Sequence, residues 1–280
     1  MNNAYQIYLI SDSTGETLDR IFIALKAQFK NFSYETNHFS FTRTKNQVLK
    51  ILTNIKNKKK VIILYTIVDN NLSKFLDQEA KKLKVACFNA LGDLILSFSK
   101  QLDQEASFKP SGQHALNEEY YERIEAIQFT MNHDDGNLSN DINKSDIILL
   151  GVSRTSKTPT SIYLANKGFK VSNIPLVNEN SIPNSLKNNK NKICIIGLTA
   201  EPNRLVEVRK NRMNSLKDNS STNYVNFEKI TQEVEEAKKT FQKYKWPVID
   251  VSRKSVEETA ASVIKIFEIS KKNAWNHISI

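Results

Sequence analysis

The sequence predicts an α/β protein built in two α/β halves, each a mostly parallel sheet covered by helices. The chain has 280 residues, enough for one large domain or two ordinary ones. Short apolar runs alternate with single helical segments from end to end, and strands joined by single helices indicate parallel sheets. A polar, turn-rich stretch interrupts this alternation near the middle. No internal repeat is evident in the sequence.

The first half is predicted as an N-terminal α/β domain over residues 1–101. Its predicted strands are the apolar runs "YQIYLISDS", "HFSFTRT", "KVIILYTIV" and "VACFNAL". Between them lie the helical patterns "GETLDRIFIALKAQFK", "KNQVLKILTNIKN" and "NLSKFLDQEAKKLK". Residues 102–144 are predicted as a connector with one helical stretch between polar flanks.

The second half, residues 145–280, repeats the alternation. Strands are predicted at "DIILLG", "KVSNIPLV", "KICIIGLT" and "WPVIDVS". Helices are predicted after the first strand, briefly after the second, and at "PNRLVEVRKNRM", "NFEKITQEVEEAKKTFQKYK" and "SVEETAASVIKIFEISKK". This order predicts a second parallel sheet with helices on both faces.

The net charge of +10 and the pI near 9.4 suit anionic ligands, but they specify none. Much of the lysine lies beside asparagine in loops, as in "TNIKNKKK", which favours a solvated surface. No helix–turn–helix, RNP-like or zinc-finger pattern is present, so no nucleic-acid partner is predicted. Apolar runs are too short to span a bilayer and the N-terminus resembles no export leader, so we expect a cytoplasmic protein without membrane contact.

The stretch "DIILLGVSRTSKTP" has the features of a phosphate-binding loop between a buried strand and a helix. Gly151 permits the tight turn, Lys157 is placed to meet phosphates, and Thr158 supplies a hydroxyl at the magnesium position. Pro159 suits the first helical turn, where its missing N–H is not needed. The predicted nucleotide-binding residues are Gly151, Val152, Ser153, Arg154, Thr155, Ser156, Lys157 and Thr158.

One position departs from the pattern GxxxxGK[ST], because Ser156 replaces the second glycine. A non-glycine residue with positive φ costs on the order of 1 kcal/mol, which a hydroxyl contact to phosphate could offset. The alternative is an ordinary polar loop whose lysine faces solvent. Strand, glycine, lysine, threonine, proline and helix in order favour the phosphate loop, and hence a P-loop kinase-like C-terminal half.

Two further groups are candidates for chemistry. His133, Asp134 and Asp135 could supply a base or a metal ligand, although a simple turn at Asp135–Gly136 explains the same residues. Arg204, Arg209 and Arg212 could close over phosphates as a lid, or form a solvated helix face.

The stretch "GVSRTSKTPTSIYLANKGFKVSNIPLV" strongly resembles the bacterial regulatory proteins of pyruvate, phosphate dikinase, relatives of the phosphoenolpyruvate synthase regulatory proteins. The resemblance continues in "SDSTGET", "HDDG", "GLTAEPNRLVEVRKNR" and "DVSRKSVEETAA", so it covers essentially the whole chain. Serine before the lysine is similar to the dikinase-type members, whereas synthase-type members tend to have glycine.

The resemblance implies a bifunctional enzyme. Family members use ADP to phosphorylate a threonine near the catalytic histidine of the dikinase, and they remove that phosphate by transfer to inorganic phosphate, releasing pyrophosphate. It also implies nucleotide binding at residues 151–158, the dikinase as protein substrate, and a homodimer. Magnesium or another divalent cation, if one is used, would bind at Thr158. The alternatives are the synthase as target, a P-loop kinase of a small metabolite, or a non-catalytic nucleotide-sensing regulator.

The stretch "ISDSTGETL" near the N-terminus has two interpretations. Ser13 and Glu16 are spaced as a helix capping box, which is the favoured one. The alternative is a second anion site for the phosphohistidine of the target or for the attacking phosphate.

Overall fold

The computed structural model describes residues 4–112, 118–135, 141–188, 193–216 and 222–276. The chain divides into two compact units, Met1–Ala115 and Leu116–Ile280. Each unit contains a four-stranded sheet in which every neighbouring pair of strands is parallel. The predicted fold class, two α/β halves, is therefore confirmed. The segment predicted as a connector, residues 102–144, is divided between the two units, and its helix is part of the second unit.

The first unit has the strand order β2-β1-β3-β4. Its elements are β1 (Tyr5–Ser11), α1 (Glu16–Lys26), β2 (Tyr34–Phe39), α2 (Lys45–Ile55), β3 (Val61–Thr66), α3 (Asn70–Lys82), β4 (Ala86–Asn89) and α4 (Gly92–Leu102).

Alternate residues of β1 point to opposite faces of the sheet, and helices pack against both faces. Ile7 and Leu9 pack with Leu18 and Phe22 of α1 on one side. The opposite face packs against α2 and α3, with a core of Tyr8, Ile10, Val48, Ile51, Leu52, Ile55, Ile63, Tyr65, Ile67, Leu72, Leu76 and Ala80.

One strand of the first unit lies earlier than predicted. The run "HFSFTRT" contains only the end of β2, which stops at Phe39. Phe41 has a φ of 53°, which breaks the extended backbone. Thr44 is the N-cap of α2, and its side chain accepts a hydrogen bond from the Gln47 N–H. The end of the run predicted as a strand therefore forms the turn and the cap of a helix.

The second unit has the strand order β6-β5-β7-β8. Its elements are α5 (Glu118–Asn132), β5 (Ile147–Gly151), α6 (Lys157–Ala165), β6 (Val171–Pro175), α7 (Asn184–Lys187), β7 (Cys194–Thr199), α8 (Pro202–Leu216), α9 (Phe227–Lys243), β8 (Val248–Asp250) and α10 (Val256–Asn276). Every residue of β5 and β7 is buried, as expected for central strands covered on both faces. In the described parts of the chain, no helix is both long and apolar enough to cross a membrane.

The two sheets have equivalent strand orders. In each, the first and third strands in chain order lie side by side at the centre. The chain runs from the first strand to the edge strand on one side, and from the third strand to the edge strand on the other. The connections therefore diverge between β1 and β3 in the first unit, and between β5 and β7 in the second. Parallel α/β sheets bind ligands at the carboxyl ends of strands at such a switch point.

Candidate active site

The loop between β5 and α6, here called the β5–α6 loop, follows a central strand of the second unit. A Cβ added to Gly151 would lie 2.5 Å from the Leu198 carbonyl oxygen and 2.7 Å from Thr155 Oγ1. Both distances are well inside van der Waals contact, so glycine is required where β5 runs beside β7.

Two residues of the β5–α6 loop adopt left-handed backbone conformations. Arg154 has a φ of 72° and Ser156 a φ of 57°. The left-handed conformation expected at Ser156 is therefore present, at a cost of about 1–2 kcal/mol for each such non-glycine residue. Ser156 is also the N-cap of α6, and its side chain makes no capping hydrogen bond. The first N–H groups of α6 are thus without a side-chain cap, which is the arrangement that binds anions at helix N-termini.

Lys157 is the first residue of α6 and is buried, with 6% of its surface exposed. Its Nζ donates a hydrogen bond to the Val152 carbonyl oxygen at 2.9 Å, inside the loop. Burial lowers the pKa of Lys157 to about 8, although Asp135 and Asp134 act in the opposite direction. The ammonium group is therefore held in the loop with little solvation, ready to bind an anion.

Thr158, Asp134 and Asn173 form a hydrogen-bonded cluster beside this lysine. The Thr158 hydroxyl donates to Asp134 Oδ1 at 3.0 Å, and the Asn173 amide donates to the same oxygen. The Asn173 amide also donates to Thr158 Oγ1 at 2.9 Å. Two donors thus hold one oxygen of the Asp134 carboxylate and fix its orientation.

A cleft of about 340 Å³ joins the β5–α6 loop to this cluster. It is lined by Asp134, Asp135, Ser153, Arg154, Ser156, Lys157, Thr158, Pro159, Asn173, Pro175 and Val208. The cleft combines cationic and hydroxyl groups of the loop with two aspartates. Three of the predicted loop positions, Gly151, Val152 and Thr155, are buried behind it. The Thr155 hydroxyl donates to the Val152 carbonyl oxygen at 2.9 Å and so braces the loop.

The three candidates at the end of α5 have different surroundings. Asp134 and Asp135 line the cleft, and Asp135 has a left-handed φ of 54°. His133 is buried and stacks on Phe129, and its Nδ1 lies 2.7 Å from the Phe129 carbonyl oxygen. Its own carbonyl oxygen accepts a hydrogen bond from the Asn173 N–H at 3.0 Å, which ties the end of α5 to β6. Gly136 lies outside the described residues.

The three arginines of α8 do not share one environment. Arg209 is 1% exposed and forms an ion pair with Glu233 at 2.6 Å. It also donates to the Ser153 carbonyl oxygen at 3.3 Å, so it braces the β5–α6 loop from behind. Arg204 is exposed and pairs with Glu207 of the same helix, and Arg212 is exposed. Of the three, the structure brings Arg209 to the loop.

Two residues at the loop were not among the sequence candidates. Asn173 is 1% exposed, and its Oδ1 is buried without a hydrogen-bond partner among the described residues. A polar asparagine inside the apolar strand run "VSNIP" was the available signal. Tyr224 accepts a hydrogen bond from Arg154 Nε at 3.0 Å and lies 3.2 Å from Ser153 Oγ. Nothing in the sequence around Tyr224 points to that contact.

The residues present fit a magnesium ion bound mainly through phosphates and water. The Thr158 hydroxyl and the Asp134 carboxylate bring two oxygens together, the ligand type that magnesium prefers. Within the described ranges, no group of three or more His, Cys, Asp or Glu residues forms a metal cage.

Comparison with known proteins gives one consistent result. A family model described as kinase/pyrophosphorylase matches residues 7–264. A protein of Pelagibacter ubique named pyruvate, phosphate dikinase regulatory protein is 67% identical over 273 residues, covering 98% of this chain and all of that protein. Proteins with the same name from Erythrobacter litoralis and Anaplasma marginale are 43% and 41% identical, covering 93% and 95% of this chain and 93% and 94% of their own lengths. The chain therefore belongs to the kinase/pyrophosphorylase family.

Proposed function

We propose that the protein regulates pyruvate, phosphate dikinase by transferring phosphate to and from one of its threonines. ADP is the phosphoryl donor for inactivation, and inorganic phosphate is the acceptor for reactivation. The observation that carries this proposal is the shared cleft, in which an uncapped helix N-terminus and Lys157 face the Asp134–Thr158–Asn173 cluster.

The β5–α6 loop supplies the phosphate-binding half of the site as a P-loop. Phosphoryl transfer depends mainly on positioning and on cations near the transferred group. The N–H groups of the loop and the Lys157 ammonium hold the terminal phosphate of ADP. Arg209 holds the loop in shape through the Ser153 carbonyl. A magnesium ion at the Thr158 hydroxyl would neutralise phosphate charge when bound.

In the kinase direction, the threonine hydroxyl of the dikinase attacks the β-phosphorus of ADP. A new bond forms between the threonine oxygen and phosphorus, the bond to the bridging oxygen breaks, and AMP leaves. An aspartate of the cleft accepts the threonine proton. Asp134 suits this role because Thr158 and Asn173 hold its Oδ1, which leaves Oδ2 for the substrate.

In the opposite direction, an oxygen of inorganic phosphate attacks the phosphorus of the phosphothreonine. The bond between phosphorus and the threonine oxygen breaks, pyrophosphate forms, and the threonine oxygen regains a proton. We propose that Asp134 takes the proton of the attacking phosphate and passes it to the threonine oxygen. A homodimer, which the family resemblance implies, and a cytoplasmic location are part of this proposal.

The test uses the full chain with purified pyruvate, phosphate dikinase and ADP labelled at the β-phosphate. The dikinase is supplied with and without phosphoenolpyruvate, which charges its histidine, and phosphothreonine is measured. We expect phosphothreonine in wild type and at least about a hundredfold loss in Lys157→Ala, because the phosphate charge then has no cation in the loop. A parallel reaction contains phosphoenolpyruvate synthase as the alternative target.

The matched control is Lys167→Ala, which removes an exposed lysine just beyond the same helix. Circular dichroism and thermal unfolding establish that both variants are folded. Full transfer by Lys157→Ala contradicts the mechanism. Transfer only to the synthase or to a small molecule contradicts the assigned target, and ADP binding without any transfer contradicts the enzymatic proposal.

A further inference from the structure

The first unit contains a cleft of about 190 Å³ at its own switch point, between the ends of β1 and β3. Its lining comes from the loop after β1, from the end of β3, and from residues 109–112. The strand order makes this cleft the topological counterpart of the β5–α6 loop region in the second unit. Ligand sites of parallel α/β sheets lie at this position.

The floor of the cleft is polar and buried. Ser11, Asp12, Ser13 and Thr66 each have less than a tenth of their surface exposed. The Asp12 carboxylate receives one hydrogen bond from another residue, from the Val68 N–H to Oδ2 at 2.8 Å. In the described part of the chain, no other residue donates to its Oδ1. The backbone N–H of Asp12 itself also bonds to the carboxylate, so this group, which is 3% exposed, keeps acceptor capacity for a ligand that can donate a hydrogen bond.

Donors for an anion surround the same cleft. The capping box predicted at Ser13 and Glu16 is wrong, because α1 has Gly15 as its N-cap, with a φ of 92° and no side-chain capping bond. Gly15 has no side chain with which to cap the first N–H groups of α1. Arg43 donates from Nε to the Asp12 carbonyl oxygen at 2.8 Å and from Nη2 to Ser111 Oγ at 3.1 Å. Arg43 thus lies beside the lining residue Ser111, and Lys109 is a cation within the lining itself.

We propose that this cleft is a binding site for inorganic phosphate, separate from the cleft of the second unit. The N–H groups of α1, the hydroxyls of Ser13 and Ser111, and the guanidinium of Arg43 contact phosphate oxygens. The Asp12 carboxylate accepts a hydrogen bond from a protonated phosphate oxygen.

The buried carboxylate determines which anion binds. Inorganic phosphate keeps at least one proton at neutral pH and donates it to Asp12, whereas sulfate has none and meets the carboxylate as a like charge. Burial raises the pKa of the Asp12 carboxyl, although the Val68 N–H and Arg43 oppose this effect. A site with only cations and amide groups would accept both anions, so the selectivity for phosphate is the property to measure.

The experiment is an amide NMR titration of the full-length chain, without ADP or dikinase, so that the result is independent of the proposed enzymatic function. Resonances of residues 11–17 and of residues 151–158 report the two clefts separately. Inorganic phosphate, sulfate and O-phosphothreonine are titrated in turn. We expect residues 11–17 to respond to phosphate at least about tenfold more tightly than to sulfate, since a hydrogen bond to a buried charged group is replaced by repulsion.

Three variants complete the test. Asp12→Asn is expected to abolish the preference for phosphate over sulfate. Arg43→Gln, at an exposed position, is expected to weaken both anions alike by about threefold. Asp19→Asn, an exposed carboxylate of α1 outside the cleft, is expected to change neither affinity.

Each of the remaining outcomes overturns the proposal. These are no shift at residues 11–17 when residues 151–158 are saturated, equal response to phosphate and sulfate in wild type, and tighter binding of O-phosphothreonine than of inorganic phosphate. If Asp12→Asn does not fold, the affinities of wild type and Arg43→Gln for phosphate and sulfate still test the proposal.

Discussion

The buried position of Lys157 is unfavourable for its positive charge but favours the binding of phosphate. Lys157 is buried, which disfavours its charge, and among the described residues its Nζ donates one hydrogen bond, to a carbonyl oxygen of its own loop. A phosphate group entering the cleft would place a countercharge in contact with the lysine, in addition to the longer-range effect of Asp134 and Asp135. The energy of binding then includes the relief of an under-solvated ammonium group.

The affinity for ADP is therefore expected to fall as the pH rises through about 8. The pKa of Lys157 is lowered to about 8 in the ligand-free protein, so its charge is present below that pH and lost above it. Binding at higher pH first requires uptake of a proton, which weakens affinity about tenfold for each pH unit above the pKa. Calorimetric titration with ADP at pH 7 and pH 9 measures the change.

Lys157→Ala provides the control for this pH dependence. It is expected to bind ADP weakly at both pH values, with no decline between them. A wild-type affinity that stays constant from pH 7 to pH 9 would show that the Lys157 ammonium is not the group that binds the phosphate.

Asn173 is a positioning residue, since it contacts Asp134 and Thr158. We expect Asn173→Ala to lower kcat for phosphothreonine formation by about ten- to a hundredfold, because the carboxylate loses one of the two donors that orient it. The KM for ADP is expected to change little, since Asn173 is not part of the β5–α6 loop. Steady-state kinetics with the dikinase measures both constants.

Ser172→Ala is the matched control for Asn173→Ala. Ser172 is the preceding residue of β6, equally buried, and bonds to Ser145 Oγ at 2.7 Å, away from the cleft. Its kcat should remain near that of wild type. A similar loss in both variants would assign the effect to the stability of β6.

The β5–α6 loop depends on the close contact between β5 and β7. Gly151→Ala is expected to lower the free energy of unfolding by about 1–3 kcal/mol, because the new methyl group overlaps the Leu198 carbonyl and Thr155 Oγ1. Urea denaturation followed by far-ultraviolet circular dichroism, which reports both units, measures the change.

Gly112→Ala is the control, because a Cβ at that residue meets no atom within 4 Å. Its free energy of unfolding should stay within about 0.5 kcal/mol of wild type. If the Gly151→Ala variant is equally stable, the two strands separate more easily than their packing indicates.

The molecule contains two sheets with equivalent strand orders and separate cores. Each sheet has a polar cleft beside a helix N-terminus that follows its first strand. The cleft of the second unit contains a buried lysine, and that of the first contains a buried aspartate. Similar topology thus presents two different chemistries to anions.

Because the cores are separate, a core truncation should act first on its own unit. Ile63 and Ile148 are both fully buried, one in each sheet. We expect Ile63→Ala to lower the opening free energies of amides in β1 and β3 by about 2–5 kcal/mol, with smaller changes in β5 and β7. Residue-resolved hydrogen exchange measures this difference.

Ile148→Ala is expected to show the reverse pattern. Equal loss of protection in both sheets from either variant would mean that the chain opens as a single cooperative unit.

Much of the fold was predictable because the relevant signals are local. Apolar runs and helical periodicity located most strands and helices, and the left-handed backbone at Ser156 followed from the missing glycine of the loop pattern. Where a local signal was ambiguous, the prediction was wrong. The run ending at Thr44 has the composition of a strand but forms a helix cap, and Ser13 and Glu16 have the spacing of a capping box without its bonds.

The sequence alone specified the alternation of elements, the two halves and the loop containing Lys157, since neighbouring residues suffice to define them. The meeting of Asp134 with Thr158, 24 residues apart, and of Asn173 with both depends on the order of strands in the sheet. The burial of Arg209 against Glu233 depends on the packing of α8 against α9. Strand order is determined by the packing of whole helices and strands. The sequence immediately around any one of these residues therefore does not indicate it.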